Sequence, residues 1–216
     1  MSLKELTYEH HRNAERQGFV KVLMSGKIDP KVYATFLYNQ YVNYNLLETV
    51  AMAEGVLDDL PDIRRASKIL DDYTELWNDL ENPPTLAPSS KMYADHIMSI
   101  RDDKQKLMAH VYTRHMGDLS GGQMIRKKIP GKGTMYDFTQ PDELKTAIRE
   151  RLNDDMAPEA RVCFNSQQIY LKRCKMKLSE VPEFMAQANA QKELEVTEQI
   201  KLLQEQIIDL QKKVAW

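Results

Sequence analysis

Three of the chain's eight glycines fall within six residues, at the end of a run with helical periodicity: Gly117, Gly121 and Gly122. An interior glycine costs a helix about 0.5–1 kcal/mol relative to alanine, so the cluster indicates that something approaches this backbone closely. On a helix, Gly117 and Gly121 share a face and leave bare backbone beside the Asp118 carboxylate. The spacing leaves two alternatives open: a flat ligand that needs proton delivery, or a helix end with a tight helix crossing.

The bulk composition is that of an ordinary single domain of 216 residues with a formal net charge of −2. That charge gives no general case for nucleic-acid binding. No apolar run approaches the roughly 20 residues that span a bilayer, and the N-terminus is unlike a signal peptide. We therefore expect a cytoplasmic protein that binds neither nucleic acid nor membrane. On one helix Cys163 and Cys174 would lie about 16 Å apart, too far for a disulfide, so we expect reduced thiols.

Almost every segment has helical periodicity, which predicts an all-α, single-domain fold. Ser2 and Glu5 form a capping box, and Asp29 precedes Pro30 as a helix start. Residues 129–133 are predicted to be a loop. From these signals the predicted helices cover about 2–17, 30–55, 61–81, 89 into the glycine segment, 142–155, 159–178 and 183–214.

The last predicted helix belongs to a tail, residues 181–216, that follows a main domain of residues 1–180. Its apolar residues alternate in steps of four and three, as coiled-coil cores do: Val196, Ile200, Leu203, Ile207, Leu210 and Val214. Two interpretations remain equally open. The tail forms a coiled coil through which the chain self-associates, or it is an amphipathic helix packed against its own domain.

The histidines are the first candidates for metal binding: His10, His11, His96, His110 and His115. His10 and His11 could each face inward by helical periodicity, so spacing does not choose between them. The sequence contains no Glu-x-x-His pair of the di-iron type, no His-Glu-x-x-His and no phosphate-binding glycine loop.

Several segments together resemble the heme oxygenase family over residues 3–178. Residues 112–123, with Tyr-Thr-Arg followed by Gly-Asp-Leu-Ser-Gly-Gly-Gln, resemble the distal helix. Residues 7–15 resemble the proximal helix, in which the iron ligand precedes x-x-Ala-Glu; this pattern points to His11. Residues 37–41, Leu-Tyr-Asn-Gln-Tyr, are similar to the helix whose last tyrosine joins the distal hydrogen-bond network, and residues 64–77 fit the family as well.

The resemblance implies an all-α heme oxygenase fold with heme between the proximal and distal helices. Heme b would be both substrate and oxygen-activating cofactor, and would be cleaved with O2 to biliverdin, carbon monoxide and ferrous iron. His11 would be the axial ligand of the iron. The implied catalytic groups are Asp118, Tyr41, Arg114, Tyr112, Gly117 and Gly121. The implied heme contacts besides His11 are Glu15, Lys4, Ser120, Gly117, Gly121, Lys145, Arg149 and Phe164.

Each implied role has an ordinary structural alternative. Glu15 and the basic residues would otherwise be solvated on helix faces, and Arg114 would only hold helices together. The sequence also departs from the family pattern. His115-Met116 stands where the family usually has tyrosine and leucine, Tyr8 replaces a lysine near the heme propionates, and the membrane anchor of animal members is missing. The resemblance is therefore to the soluble type of cyanobacteria and phages.

The implied reaction consumes seven electrons, so the resemblance also implies a reductase partner. A soluble donor such as ferredoxin fits a chain without an anchor, and a bilin-processing enzyme would follow downstream. An acidic donor would meet a basic face, whose alternative is an ordinary solvated surface: Lys127, Lys128, Lys132, Lys172, Arg173, Lys175 and Lys177. The rival functions are a heme carrier or sensor on the same fold and a coiled-coil interaction protein.

Overall fold

The computed structural model describes residues 2–60 and 62–176, with side chains through Leu171. Throughout that part the protein is α-helical, as predicted. The α-helices are α1 (Leu3–Glu15), α2 (Gly18–Ser25), α3 (Pro30–Ala53), α4 (Ala66–Leu76), α5 (Pro88–Ser99), α6 (Lys104–Ser120), α7 (Gly122–Arg126), α8 (Pro141–Glu150) and α9 (Ala157–Met176). Two 3-10 turns cover Thr134–Tyr136 and Asp154–Met156.

The predicted starts of the first two long helices are confirmed. The predicted capping box of Ser2 and Glu5 is present, and in it the backbone N–H of Ser2 donates to Oε2 of Glu5 at 2.7 Å. Oδ1 of Asp29 accepts from the N–H groups of Lys31 and Val32 at 2.8 and 3.1 Å. Two otherwise unpaired donors at the start of α3 are thereby satisfied.

The predicted helix pattern was wrong in four places. The helix predicted from residue 89 is divided into α5 and α6, because Asp103 starts a new helix by accepting the Lys106 N–H at 3.0 Å. Helix α2 was missed, because the first helix was predicted to end at about residue 17 and the next to begin at Pro30, whereas Gly18 begins a helix of its own. The helix predicted from residue 61 begins at Ala66. The region predicted as one helix over 142–155 ends at Glu150, and a 3-10 turn follows.

The long helix α3 packs against α4, α5 and α6 and organises two hydrophobic clusters. The first joins α3 to α5 and α6 through Leu47, Ile97 and Leu107. The second includes Tyr33 of α3 and Ile69 of α4. Because these clusters fix α3 against α6, side chains from the middle of α3 meet the C-terminal half of α6.

The expectations for the two cysteines and the tail can be compared with the structure only in part. Cys163 is a buried free thiol, whereas the side chain of Cys174 and the predicted tail helix lie outside the described residues. Within the described ranges, none of the helices has the length and apolarity needed to cross a membrane.

Candidate active site

A cavity of about 1150 Å³ opens between α1 and α6. This volume exceeds the roughly 300–1,000 Å³ of ordinary small-molecule pockets, so a large ligand would fit. The cavity gathers most of the residues that the sequence singled out: Lys4, His11, Glu15, Tyr112, Arg114, Gly117, Asp118, Ser120, Gly121, Arg149 and Phe164. Two others, Tyr41 and Lys145, are outside its lining.

The α1 wall presents His11 to the cavity. Thr7 and Leu3, one and two turns earlier on the same face, are buried, and His11 continues that face where the cavity opens. The His11 side chain remains 49% exposed and makes an edge contact with the Phe164 ring, with centroids 5.7 Å apart. Its Nδ1 lies 3.7 Å from Oε1 of Glu15, so Nε2 is the nitrogen left for a ligand.

The neighbouring histidine has a different position. His10 is outside the cavity lining, and its carbonyl oxygen accepts a 3.2 Å hydrogen bond from Nε2 of Gln168 on α9. The sequence alone left His10 and His11 open, and only His11 reaches the cavity.

The α6 wall is bare at two of the three clustered glycines. A Cβ added to Gly117 would have no atom within 4 Å, and one on Gly121 would meet only the Gly117 carbonyl oxygen at 3.5 Å. Gly122 differs, since its Cβ would lie 2.3 Å from Cδ1 of Tyr136. Thus two of the clustered glycines face the cavity, and the third permits close packing.

Asp118 lies between those glycines and accepts a hydrogen bond from a tyrosine that was not predicted from the sequence. The Tyr44 hydroxyl donates to Oδ2 of Asp118 at 2.6 Å. Burial raises the pKa of Asp118 to about 6, although the Tyr44 hydrogen bond and the charges of His115 and Arg114 act to lower it. A carboxyl group that titrates near neutral pH can both accept and release a proton during a reaction.

Tyr41, the tyrosine selected from the sequence, packs half-buried against the second hydrophobic cluster instead. Tyr44 follows it by three residues on α3, and Glu48 lies one further turn along the same face. The available sequence signal was that pair, a tyrosine four residues before the single acidic residue of α3.

Arg114 is fully engaged on the inner side of the cavity. Its Nε donates to the Tyr93 hydroxyl at 2.9 Å, and its Nη1 donates to Oε1 of Gln40 at 3.2 Å. The guanidinium carbon also lies 4.1 Å from the Tyr93 ring centroid and 5.3 Å from that of Tyr44. Arg114 therefore ties α6 to α3 and α5, as the structural alternative expected, and it does so beside Asp118's tyrosine partner.

His115, which departs from the family pattern, is buried with Glu48. Its Nε2 lies 2.9 Å from Oε1 of Glu48, and both side chains have no exposed surface. Glu48 also accepts the backbone N–H groups of Arg65 and Ala66 at 2.6 and 3.1 Å. Burial alone would raise the pKa of Glu48, but these hydrogen bonds lower it. The His115 ring centroid lies 5.1 Å from that of Tyr44, so this pair supports the tyrosine that holds Asp118.

The cavity also has a basic edge, formed in part by Lys4 and the exposed Arg149. Tyr112 belongs to this edge rather than to the Asp118 network. Burial raises the pKa of Tyr112, while a hydrogen bond with Thr7 and the charge of Arg149 oppose that rise. Lys145 instead forms an ion pair with Asp142, with 3.0 Å between Nζ and Oδ1.

Comparison with known proteins identifies the family to which the chain belongs. Residues 1–184 match the sequence profile of the family described as heme oxygenase. A heme oxygenase of Guillardia theta is 27% identical over 196 residues, which cover 76% of this chain and 81% of the relative.

Solved structures agree with the sequence comparison. The heme oxygenase of Leptospira interrogans aligns with a TM-score of 0.69 and 26% identity, covering 80% of this chain and all of that one. Heme oxygenase-1 of Synechocystis, solved in complex with heme, aligns with a TM-score of 0.73 and 22% identity over 87% and 97% of the two chains. The chain belongs to the heme oxygenase family, whose members cleave heme oxidatively to biliverdin.

Proposed function

We propose that the family's reaction takes place in the cavity between α1 and α6, with heme b as substrate, His11 as axial ligand and Asp118 as the proton-handling group. The observation that carries this proposal is the opposition of His11 on one wall to Gly117, Asp118 and Gly121 on the other. The Synechocystis relative with the same fold holds heme, which supports a heme site here.

The residues in the cavity fit such a ligand. Bare backbone at Gly117 leaves room for a flat ring, and Lys4 and Arg149 suit the two carboxylates of a porphyrin edge. Two polar atoms of the lining, Oδ1 of Asn43 and Oγ of Ser89, are buried and have no hydrogen-bond partner in the described part of the chain. Polar atoms of this kind are commonly satisfied by ordered water, which a proton-delivery route needs.

On the proximal side, His11 would hold the iron through Nε2 while Glu15 orients the ring from Nδ1. Bound heme would supply both the iron that activates O2 and the ring that is cleaved. A neutral imidazole pushes less electron density toward the bound oxygen than a thiolate does. That choice of ligand favours attack on the ring over early O–O cleavage.

On the distal side, Asp118 would order water and pass protons to the bound oxygen. Tyr44 fixes one carboxylate oxygen, and Arg114 and Gln40 stabilise the polar wall behind it. The raised pKa of Asp118, about 6, lies close enough to neutral pH for the carboxyl group to exchange protons with the ordered water. Gly117 and Gly121 would leave space beside the carboxylate for both the ring and water.

At the cavity edge, Lys4 and Arg149 would contact the propionates and thereby set the rotation of heme about the iron. Charge-assisted hydrogen bonds of this type are about twice as strong as neutral ones. Lys145 could join them only by leaving Asp142. Which ring carbon is oxidised would follow from this rotation.

The electrons would come from a ferredoxin or another small acidic donor. Lys127, Lys128 and Lys132 are exposed around the loop that follows α7 and would form the described part of the basic face. Complementary charge accelerates such transient encounters. The other four basic residues of this face lie outside the described side chains.

The proposal is tested by loading the chain with hemin and supplying O2, ferredoxin and ferredoxin reductase. Heme absorption should be lost as biliverdin absorption appears. Asp118→Asn should bind hemin but turn over about 10²–10⁴ times more slowly, and Asp95→Asn, at an exposed position on α5, should match the wild type. A stable heme spectrum in the wild-type protein would contradict the proposal and indicate a heme carrier.

A further inference from the structure

Two histidines and a glutamate converge at a point outside the cavity. They come from three helices: His96 from α5, His110 from α6, and Glu159 from the first turn of α9. One ligand atom of each lies within 4.8 Å of the others. The Nε2 atoms of His96 and His110 lie 2.5 and 2.9 Å from the same oxygen, Oε1 of Glu159.

We propose that His96, His110 and Glu159 form a binding site for a divalent transition-metal ion of the zinc class. Two imidazole nitrogens and one carboxylate oxygen are a donor set that such ions take, with a fourth position left for water. Two ligands of a tetrahedral zinc ion lie about 3.3 Å apart. The two contacts from the histidine Nε2 atoms to Oε1 of Glu159 would therefore need to open by less than about 1 Å. The two imidazole nitrogens lie within 4.8 Å of each other.

The surroundings of the three side chains prepare them for this role. The Tyr93 hydroxyl lies 3.0 Å from Nδ1 of His110 and so directs Nε2 of that ring toward Glu159. A hydrogen bond to the second ring nitrogen is the usual support of a metal-binding histidine. All three ligands stand on helices, which hold a site more rigidly than loops do.

An ion could reach this point from solvent without passing through the cavity. The His96 side chain is 30% exposed and that of Glu159 12%, whereas His110 is fully buried behind them. None of the three lines the heme cavity. The open position of the ion would therefore face water on the His96 side.

Binding at this point would join α5, α6 and α9. It would also bear on the heme site, because Tyr93, which contacts His110, accepts the hydrogen bond from Nε of Arg114. The competing description is a hydrogen-bonded His-Glu-His cluster that never takes a metal, and measured Zn²⁺ binding distinguishes the two.

The test uses the full chain, free of metal and heme, and measures Zn²⁺ binding by competition with a chromophoric chelator. We expect one equivalent of Zn²⁺. His96→Ala and Glu159→Gln should each weaken binding at least about tenfold. His96→Ala removes the most exposed of the three ligands and leaves the His110–Glu159 contact in place, so its fold, checked by circular dichroism, should survive.

Two control variants separate this site from the heme ligand. His10→Ala and His11→Ala each remove an imidazole from α1 and should leave Zn²⁺ affinity unchanged. Cobalt supplied in place of zinc should give the visible absorption of a four-coordinate ion in the wild type and lose it in His96→Ala. Binding of less than one equivalent, or wild-type affinity in a folded His96→Ala variant, would overturn the proposal.

Discussion

The Tyr44 hydroxyl donates a 2.6 Å hydrogen bond to Oδ2 of Asp118 and so couples the middle of α3 to the cavity-facing turn of α6. Tyr44 is itself held by the ring of His115, whose Nε2 is bonded to the buried Glu48. The position of the proposed proton-handling carboxylate is therefore set by three buried side chains on two helices rather than by the glycine segment alone.

Removing the Tyr44 hydroxyl should raise the pKa of Asp118 above its value of about 6. Burial already raises that pKa, and the Tyr44 hydrogen bond opposes it by stabilising the carboxylate. In Tyr44→Phe only the opposing effect is lost. Titration of the Asp118 carboxyl carbon by NMR would measure the change. Tyr41→Phe is the matched control, and an equal shift in both variants would argue against a specific role for Tyr44.

The stability of the Asp118→Asn variant relative to the wild type should increase as pH rises. The pKa of Asp118 is about 6 in the folded chain against an ordinary 3.8, so the proton stabilises the folded state at low pH and this contribution is lost as pH rises through about 6. Between about pH 4 and pH 8 the stability of Asp118→Asn relative to wild type should increase by about 1–3 kcal/mol. Urea unfolding at both pH values checks this. Asp95→Asn should show no such trend, and a flat difference for Asp118→Asn would refute the raised pKa.

Alanine at two of the three clustered glycines, Gly117 and Gly122, should have opposite effects on stability. Gly117→Ala adds a methyl group in open space on a helix, so it should stabilise the fold by about 0.5–1 kcal/mol while obstructing the cavity and weakening hemin binding. Gly122→Ala places a Cβ 2.3 Å from the Tyr136 ring and should destabilise the fold by about 1–3 kcal/mol. Unfolding curves and hemin titrations measure both effects. Equal loss of stability in the two variants would contradict the assignment of separate roles.

Reversing the charge at Lys127 and Lys128 should raise the KM for ferredoxin several-fold at low ionic strength. The reason is the loss of electrostatic attraction to an acidic donor, and the effect should shrink as salt screens it. Turnover driven by ascorbate, which needs no docking surface, should stay unchanged. The matched control is the double reversal of Lys104 and Lys106, exposed at the start of α6. A similar KM rise in the control would rule out a localised donor surface.

Local signals predicted α3 and the start of α1 correctly, because Asp29-Pro30 and Ser2 act on neighbouring backbone groups. Helix α2 was missed for a related reason. A glycine after a helix predicts its end, and Gly18 also begins a second helix after a gap of only two residues. Local sequence rules identified the break after the first helix but could not indicate that the chain continues as another helix.

Which tyrosine of α3 contacts Asp118 could not be predicted from one sequence. Helix α3 carries tyrosines at positions 33, 38, 41 and 44, and the motif at residues 37–41 favoured Tyr41. Only the packing of α3 against α6 shows that Tyr44 meets Asp118. Gly122 is a similar case. The need for a glycine at this position arises from contact with the Tyr136 ring, which local sequence patterns do not indicate.

The axial ligand is the most direct test of the whole account, since the proposed site requires iron on the α1 wall opposite Gly117. The measurement is the resonance Raman spectrum of the ferrous, hemin-loaded chain, in which an iron–histidine stretching band reports an imidazole ligand. We predict the band in the wild type and in His10→Ala, and its absence in His11→Ala. A band that persists in His11→Ala, or that disappears in His10→Ala, would contradict the account.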